Sequence, residues 1–90
     1  MSGTVYRVEL ERPAQKAMER LPKDIRQRLT RAMQELGTNP RPPGCVQLKG
    51  KHKLFRIRVG DWRIIYAIHD ATLVILVVDV GSRGGIYRNY

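Results

Sequence analysis

Three arginines lie within a short stretch of the chain, at spacings that would place their side chains on one face of a β-hairpin. Arg56 and Arg58 are two residues apart in an apolar run, and Arg63 follows the dipeptide Gly60-Asp61. Residues two apart in a strand project to the same face, and a two-residue turn would set Arg58 directly opposite Arg63. The guanidinium group is a planar fork of N–H donors that binds phosphate through two hydrogen bonds and stays charged at any working pH. The pattern therefore predicts a phosphate-binding surface.

The surrounding sequence adds positive charge to this stretch. The chain of 90 residues has 17 Lys and Arg against 8 Asp and Glu, a formal net charge of +9, and residues 41–63 hold seven of the basic residues but one acidic residue. Lys49, Lys51 and Lys53 precede Arg56, and we expect them to bind along a nucleic-acid backbone. Charge that serves solubility is normally dispersed with mixed sign, so this concentration indicates an anionic partner.

Hydrophobic periodicity in the first half of the chain predicts one strand and two helices. Apolar residues alternate with charged ones over Val5–Leu10, which is typical of a strand with one buried face. Apolar residues at helical spacing follow Pro13 and end at Leu21, which predicts a short helix with a proline in its first turn. A second helix is predicted to begin at Pro22 and to stop at Gly37. The two helices would form a hairpin.

The second half of the chain predicts an antiparallel sheet. The segment Thr38–Cys45 contains three prolines and a glycine and is expected to be a loop. Strands are predicted at Leu54–Val59, Trp62–His69 and Leu73–Val80, with Val46–Lys49 counted as an extension of the first of them. Gly60-Asp61 fits a type II′ turn, which prefers Gly at its first position. The predicted fold is α+β: residues 1–90 form a single domain, a small antiparallel sheet with an added N-terminal strand and the helical hairpin packed on one face.

This turn sorts the side chains of the hairpin into two sets. One set is apolar apart from a single hydroxyl and should face the helices: Phe55, Ile57, Val59, Trp62, Ile64, Tyr66 and Ile68. The other set carries Arg56, Arg58 and Arg63 on the face that the helices leave free. Like charges directly opposite one another destabilise a hairpin, so Arg58 across from Arg63 indicates an anionic ligand. The alternative is that the three side chains extend into solvent or pair with Asp61 and Asp79.

Composition excludes several other classes of protein. Cys45 is the only cysteine, and with His52 and His69 it makes no ligand set at zinc-binding spacing, so we expect no metal and no other cofactor. The longest apolar run, Leu73–Val78, has six residues, whereas a membrane-spanning helix needs about 20. The sequence also opens without a charged and then apolar signal segment. We therefore expect a cytoplasmic protein that does not bind membranes.

Four stretches of the sequence form a set of motifs: Leu48-Lys49-Gly50, the run from Leu54 to Tyr66, the run from Val78 to Arg83, and Ile86-Tyr87-Arg88. Together they resemble the motifs of the RelE-type toxins of microbial toxin–antitoxin systems, within the RelE/ParE superfamily. The order of strand, two helices and three strands is similar as well, so the resemblance covers nearly the whole chain. It implies an endoribonuclease that enters the ribosomal A site, cuts mRNA there and so inhibits translation. It also implies a cognate antitoxin that holds the toxin inactive.

Matched by position, the resemblance assigns catalytic roles to five residues: Arg56, Arg58, Arg63, Arg83 and Tyr87. Cleavage of RNA by its own 2′-hydroxyl requires an aligned backbone, a proton acceptor, a proton donor for the 5′-oxygen and positive charge for the phosphorane. The arginines meet the last requirement. The proton acceptor would be Tyr87 or a basic side chain with a lowered pKa.

Two other functions remain open on the sequence. A ParE-like toxin with the same fold would inhibit DNA gyrase by binding it, although the combination of Arg56, Arg58, Arg63 and Arg83 argues against that function. A non-catalytic RNA-binding or interaction module of the same fold is the second alternative, because the proton acceptor is not assigned.

Overall fold

Five strands and two helices make up the part of the chain that the computed structural model describes, residues 5–50 and 53–82. In chain order they are β1 (Arg7–Leu10), α1 (Arg12–Glu19), α2 (Lys23–Thr38), β2 (Val46–Gln47), β3 (Leu54–Val59), β4 (Trp62–His69) and β5 (Val74–Ser82). The strands form one sheet in the order β1-β5-β4-β3-β2. The predicted α+β class is confirmed.

The helices begin as the prolines predict, but α2 does not stop at Gly37. Pro13 lies in the first turn of α1, and Pro22 is the residue that precedes α2. Gly37 lies inside the last turn of α2, where a Cβ atom would come within 2.9 Å of the backbone oxygen of Tyr6. The backbone N–H of Tyr6 donates a hydrogen bond to the oxygen of Gly37 at 2.7 Å. Glycine is needed here for the close approach of two backbone segments and not as a helix stop.

The N-terminal strand enters the sheet in parallel orientation. β1 pairs with β5, with Arg7 opposite Val74 and Leu10 opposite Val77, and the other pairs are antiparallel. A parallel neighbour requires a crossover connection, and here α1 and α2 are the first elements of that connection. The sheet is therefore mixed and not wholly antiparallel.

The opposite edge of the sheet differs from the prediction that Val46–Lys49 extends the next strand. Residues 46 and 47 form β2, a separate strand antiparallel to β3, with Val46 opposite Arg56. The backbone N–H of Leu48 donates to the oxygen of Leu54 at 2.7 Å. The chain thus folds back on itself between the two runs, so they lie side by side.

The hairpin of β3 and β4 has the predicted bounds and register. Val59 lies opposite Trp62, Ile57 opposite Ile64, and the two residues between the strands are Gly60 and Asp61. Gly60 has φ +63°, and Asp61 is not among the residues with positive φ, which is the combination that a type II′ turn requires. A Cβ atom on Gly60 would also lie 3.1 Å from Nη2 of Arg28 on α2.

The core lies between the helices and the face of the sheet that the sequence predicts to be buried. Its fully buried members include Leu29 and Leu36 of α2, Ile64 and Tyr66 of β4, and Ile75 of β5. The remaining apolar residues of the hairpin set are buried or pack against this cluster. The prediction that the apolar side chains of the hairpin face the helices is therefore confirmed.

Hydrogen bonds hold the proline-rich loop between α2 and β2 against one end of the sheet. The hydroxyl of Tyr66 donates to the backbone oxygen of Pro40 at 2.8 Å, and Nη2 of Arg41 donates to Oδ2 of Asp70 at 3.2 Å. The hydroxyl of Tyr6 donates to the other oxygen of the Asp70 carboxylate at 2.6 Å. Asp70 therefore joins the loop to the segment that precedes β1.

These contacts change the titration of the groups involved. The hydrogen bond from Tyr6, followed by the one from Arg41, holds the pKa of Asp70 below its ordinary value of 3.8. The same hydrogen bond raises the pKa of the Tyr6 hydroxyl, whereas burial is the main cause that raises the pKa of Tyr66. Because the pKa of Asp70 is lower in the folded state than in the unfolded state, its charged form stabilises the fold at neutral pH. This contribution is lost as the pH falls below the unfolded-state pKa and through the folded-state pKa.

Replacing Ile64 by Ala should lower the free energy of unfolding by about 2–5 kcal/mol, because truncation of a fully buried aliphatic side chain loses burial and leaves a cavity. Urea unfolding monitored by circular dichroism measures this change. Val46→Ala is the matched control, because Val46 on the edge strand is 42% exposed. Equal losses in the two variants would contradict the placement of Ile64 in the core.

Replacing Asp70 by Asn should lower the melting temperature at neutral pH, since the charged acceptor of Tyr6 and Arg41 is lost. The difference from the wild-type protein should narrow as the pH falls below about 4, where the wild-type carboxylate becomes protonated. Thermal unfolding between pH 7 and about pH 2 measures this difference. Glu19→Gln is the control, because Glu19 is exposed and forms no ion pair with a described residue. A difference between Asp70→Asn and wild type that is constant with pH would contradict the assignment.

Candidate nucleic-acid interface

The three arginines of the hairpin lie on the face of the sheet opposite α1 and α2. Arg58 is directly opposite Arg63, and Arg56 is opposite Ile65. Ile57 and Ile64, which alternate with them along the strands, belong to the core beneath the helices. The predicted cross-strand pair of like charges is therefore present.

The three side chains differ in their exposure to solvent. Arg58 is exposed, Arg56 is half-buried with its Nε atom out of contact with solvent, and Arg63 is only 5% exposed. Nη1 of Arg63 donates to the backbone oxygen of Trp62 at 3.3 Å. The alternative that all three side chains extend into solvent is therefore wrong, because Arg63 is buried. Arg58 is the member that can approach a ligand from solvent.

A β-bulge in β5 decides which side chains lie beside the arginines. Ile65 pairs with Asp79 whereas Tyr66 pairs with Val77, so Val78 is an extra residue in β5. Without this extra residue Asp79 would share the core face with Val77, because the side chains of a strand alternate. The bulge instead places Asp79 and Gly81 on the arginine face. The unbroken apolar run from Leu73 to Val78 shows no alternation, so nothing in the sequence indicated the bulge.

Two rows of residues cross this face. In one row Arg58, Arg63 and Gly81 lie on adjacent strands, and in the other Arg56, Ile65 and Asp79 do so. Gly81 has no side chain, so the residue beside Arg63 on β5 contributes only backbone. Asp79 is two strands from Arg56, about 9–10 Å by the strand spacing, and its Oδ1 accepts the backbone N–H of Val80 at 2.8 Å. The face thus holds a guanidinium pair next to a residue without a side chain.

Arg58 forms no ion pair or hydrogen bond with any side chain in residues 5–50 and 53–82. Ion pairs join Arg7 to Glu9 and Arg41 to Asp70, and neither involves Arg58. The alternative that Arg58 is neutralised by Asp61 or Asp79 is therefore wrong. Its charge is available to a ligand, and the neighbouring Arg63 strengthens the attraction for an anion.

Two of the three predicted RNA-binding lysines, Lys49 and Lys53, are exposed just before β3. Lys53 has φ +49°, a left-handed backbone conformation that non-glycine residues rarely adopt. Lys51, Arg83 and Tyr87 lie outside the described residues. The predicted roles of these five residues remain predictions.

The described segments contain no group of three or more His, Cys, Asp or Glu side chains that could hold a metal ion. No described helix is long and apolar enough to cross a membrane.

Comparison with known protein families identifies the chain. The family described as the ParE toxin of the type II toxin–antitoxin system parDE matches residues 8–87, nearly the whole chain. The chain belongs to the RelE/ParE family of type II toxins. The resemblance found in the hairpin and in the C-terminal motifs is thereby confirmed.

Individual relatives of this RelE-type toxin support the same family. A RelE-like toxin protein of Escherichia coli is 31% identical over 80 residues, which cover 87% of this chain and 83% of the relative. The crystal structure of the archaeal RelE–RelB complex of Pyrococcus horikoshii OT3 is similar with a TM-score of 0.78 at 30% identity, covering 90% of this chain and 98% of that one. A RelBE-type toxin–antitoxin complex of Mycobacterium tuberculosis has the same fold, with a TM-score of 0.81 at 21% identity and coverage of 91% and 95%.

Replacing Arg58 by Gln should raise the stability of the toxin, because it removes a like-charge pair that costs about 0.2–1 kcal/mol. The gain should be larger at low ionic strength, where the repulsion between the two guanidinium groups is less screened. Melting temperatures at low and high salt measure the effect. Arg26→Gln on the exposed face of α2 removes the same charge without a cross-strand arginine. If Arg58→Gln is no more stabilising than Arg26→Gln at low salt, the repulsion does not exist.

Proposed function

We propose that this RelE-type toxin is an endoribonuclease that cleaves mRNA in the ribosomal A site and so inhibits translation. The observation that carries the proposal is the cross-strand pair of Arg58 and Arg63, in which Arg58 is exposed and has no acidic partner among the described residues. A protein that only needed to fold would gain stability by placing any neutral residue there. Two adjacent guanidinium groups can bind the non-bridging oxygens of one phosphate, which supports a role in phosphoryl chemistry.

In the proposed reaction the 2′-oxygen of the RNA attacks the adjacent phosphorus, and the bond to the 5′-oxygen breaks. The 2′-hydroxyl loses its proton to a base as it attacks, and the leaving 5′-oxygen takes up a proton. The pentacovalent intermediate carries more negative charge on its oxygens than the substrate phosphate does. Groups that bind the intermediate more tightly than the substrate accelerate the reaction.

The five predicted catalytic residues divide the tasks of this reaction among them. Arg58, Arg63 and Arg83 stabilise the charge of the intermediate, and Arg56 orients the substrate or assists proton transfer. Burial of Arg63 favours this role, because a charge that is fixed in position and shielded from water stabilises a transition state more than a solvated one does. Tyr87 is the proposed proton carrier, for which its pKa must fall from the ordinary value of about 10.

The lysines and the partners follow from the same charge distribution. Lys49, Lys51 and Lys53 bind the RNA backbone or the ribosome by a sequence-independent attraction that weakens with salt. A cognate antitoxin of acidic character neutralises the toxin by covering the basic face, since complementary charge steers and holds such a partner. The relatives from Pyrococcus horikoshii and Mycobacterium tuberculosis were solved as toxin–antitoxin complexes, which supports an antitoxin partner for this chain.

The matching family is described as the toxin of parDE, and this observation favours a second candidate function. A ParE-like toxin would act on DNA gyrase and would not need a phosphate-binding pair. Expression of the toxin separates the two functions, because one produces mRNA cut at ribosomes and the other produces DNA damage signalling. Cut mRNA without DNA damage supports the ribonuclease, and the reverse result refutes it.

Replacing Arg63 or Arg83 by Ala should lower ribosome-dependent mRNA cleavage on the order of 100-fold or more, comparable to removing one preorganised charge-stabilising donor. The rate is measured from mapped mRNA 5′ ends on programmed ribosomes. Arg26→Gln is the control for the loss of a positive charge elsewhere. A substrate with a 2′-deoxy nucleotide at the cleavage position should bind normally but resist cutting. Efficient cutting of that substrate would overturn the mechanism.

A further inference from the structure

A carboxylate lies among the arginines because of the bulge in β5. Asp79 is opposite Ile65 of β4, and Arg63, which precedes Ile65 by two residues, is its diagonal neighbour. Diagonal neighbours on adjacent strands are about 7–8 Å apart, within reach of long side chains. Bulges are common next to active sites, where they turn a side chain toward another face. Here the extra residue brings Asp79 out of the core face and beside the arginines.

Aspartate is an unfavourable choice for this position in the fold. β5 lies between β1 and β4, so Asp79 is in the interior of the sheet, where it is half-buried. Aspartate is depleted in strands, and a carboxylate on this face weakens the attraction of the arginines for phosphate. A sequence selected only for stability or for anion binding would place a neutral residue there.

The carboxylate of Asp79 is held in place by the strand that carries it. Its Oδ1 accepts the backbone N–H of Val80 at 2.8 Å. Within residues 5–50 and 53–82, no ion pair involves Asp79, and its Oδ2 accepts no hydrogen bond. One carboxylate oxygen is thus oriented by the fold, whereas the other is available to a ligand.

The proposed cleavage needs a proton acceptor on this face, and few of the described residues can serve as one. Arginine stays protonated at any working pH, so the guanidinium groups cannot accept the proton of the 2′-hydroxyl. His69 shares the face but lies at the far end of β4 from Arg63, about 20 Å away at the rise of a strand. Glu9, on the edge strand β1, is bound to Nε of Arg7 at 2.7 Å. Of the described acceptors, Asp79 is the one that lies close to the arginine pair.

We propose that Asp79 is the general base that accepts the proton of the attacking 2′-hydroxyl. Its Oδ2 takes this proton as the 2′-oxygen forms a bond to phosphorus, and the arginines bind the negative charge that develops on the phosphate oxygens. The bond to the 5′-oxygen then breaks, and that oxygen takes up a proton from Tyr87. The products are a 2′,3′-cyclic phosphate and a 5′-hydroxyl, and proton exchange with water restores both side chains.

This assignment rests on the proposed ribonuclease function and changes its first proton transfer. With Asp79 as the acceptor, Tyr87 has only to donate a proton. A phenol does so in its ordinary protonated state, so Tyr87 need not be deprotonated before the reaction.

Replacing Asp79 by Asn tests the base, because an amide oxygen can still accept the N–H of Val80 but cannot take a proton at neutral pH. Single-turnover cleavage of mRNA on programmed ribosomes should fall about 100-fold or more, since a general base usually contributes about 10²–10⁴-fold. Affinity for ribosomes programmed with a 2′-deoxy substrate should rise, because a negative charge has left the phosphate-binding face. A slower reaction with tighter binding is a result that a purely structural role would not give.

Asp24→Asn makes the same change at an exposed position of α2 and should cleave at the wild-type rate. Asp79→Ser is a second variant, whose hydroxyl can also accept the N–H of Val80. Cleavage at the wild-type rate by either Asp79 variant refutes the base but leaves the ribonuclease standing. Losses of rate and affinity together, or melting temperatures far below that of the wild type in both variants, assign Asp79 to the fold alone. Absence of cleavage by the wild-type toxin refutes the ribonuclease and the base with it.

Discussion

The two-residue turn at Gly60 and Asp61 is the constraint on which the arrangement of the interface depends. A shift of one residue in the pairing of β3 and β4 would move every side chain of the hairpin to the other face. The arginines would then lie against the helices, and isoleucines would take their place on the opposite face. Gly60 holds the register through its positive φ, and the guanidinium group of Arg28 packs where a side chain would be. Gly60 thus allows α2 to pack against the same turn that sets Arg58 opposite Arg63.

The sheet carries a pair of like charges that lowers the stability of the fold. Arg58 lies opposite Arg63, and no described carboxylate forms an ion pair with Arg58. The half-buried Arg56 adds a third positive charge to this face. The opposite face supplies the compensating stability through an apolar cluster that joins both helices to the four longer strands. One face of the sheet therefore stabilises the fold, and the other carries a repulsion that an anionic ligand bound at Arg58 would reduce. Proteins tolerate such local conflicts at binding and catalytic sites.

Local chemistry made much of this structure predictable, and long-range contacts account for what the sequence did not reveal. The register of β3 and β4, the first turn of α1 and the apolar face of the hairpin depend on neighbouring residues, and all were predicted. Gly37 was misinterpreted because its neighbour Tyr6 is far away in sequence. The bulge at Val78 and the parallel pairing of β1 depend on which strands meet across the sheet, and periodicity within one segment does not contain that information.

The sequence predicted which arginines share the interface, but it did not predict how exposed each side chain is. Residue types and spacing identified Arg56, Arg58 and Arg63, because a hairpin with a two-residue turn allows one pairing only. The low exposure of Arg63 and the place of Gly81 beside it could not be predicted, because they depend on how β5 and its bulge pair with β4.

The parallel pairing of β1 with β5 has a consequence for the order in which the chain becomes structured. β1 is made first during synthesis, but its partner strand is the last of the described elements, so the sheet cannot close until β5 has left the ribosome. Contacts between residues this far apart form slowly, because the chain must lose the entropy of a long loop before it gains them. Until then β5 is missing from the edge of β4, and Arg63 has no Gly81 beside it. The ribosome that makes this toxin therefore releases β5 before the arginine face is complete.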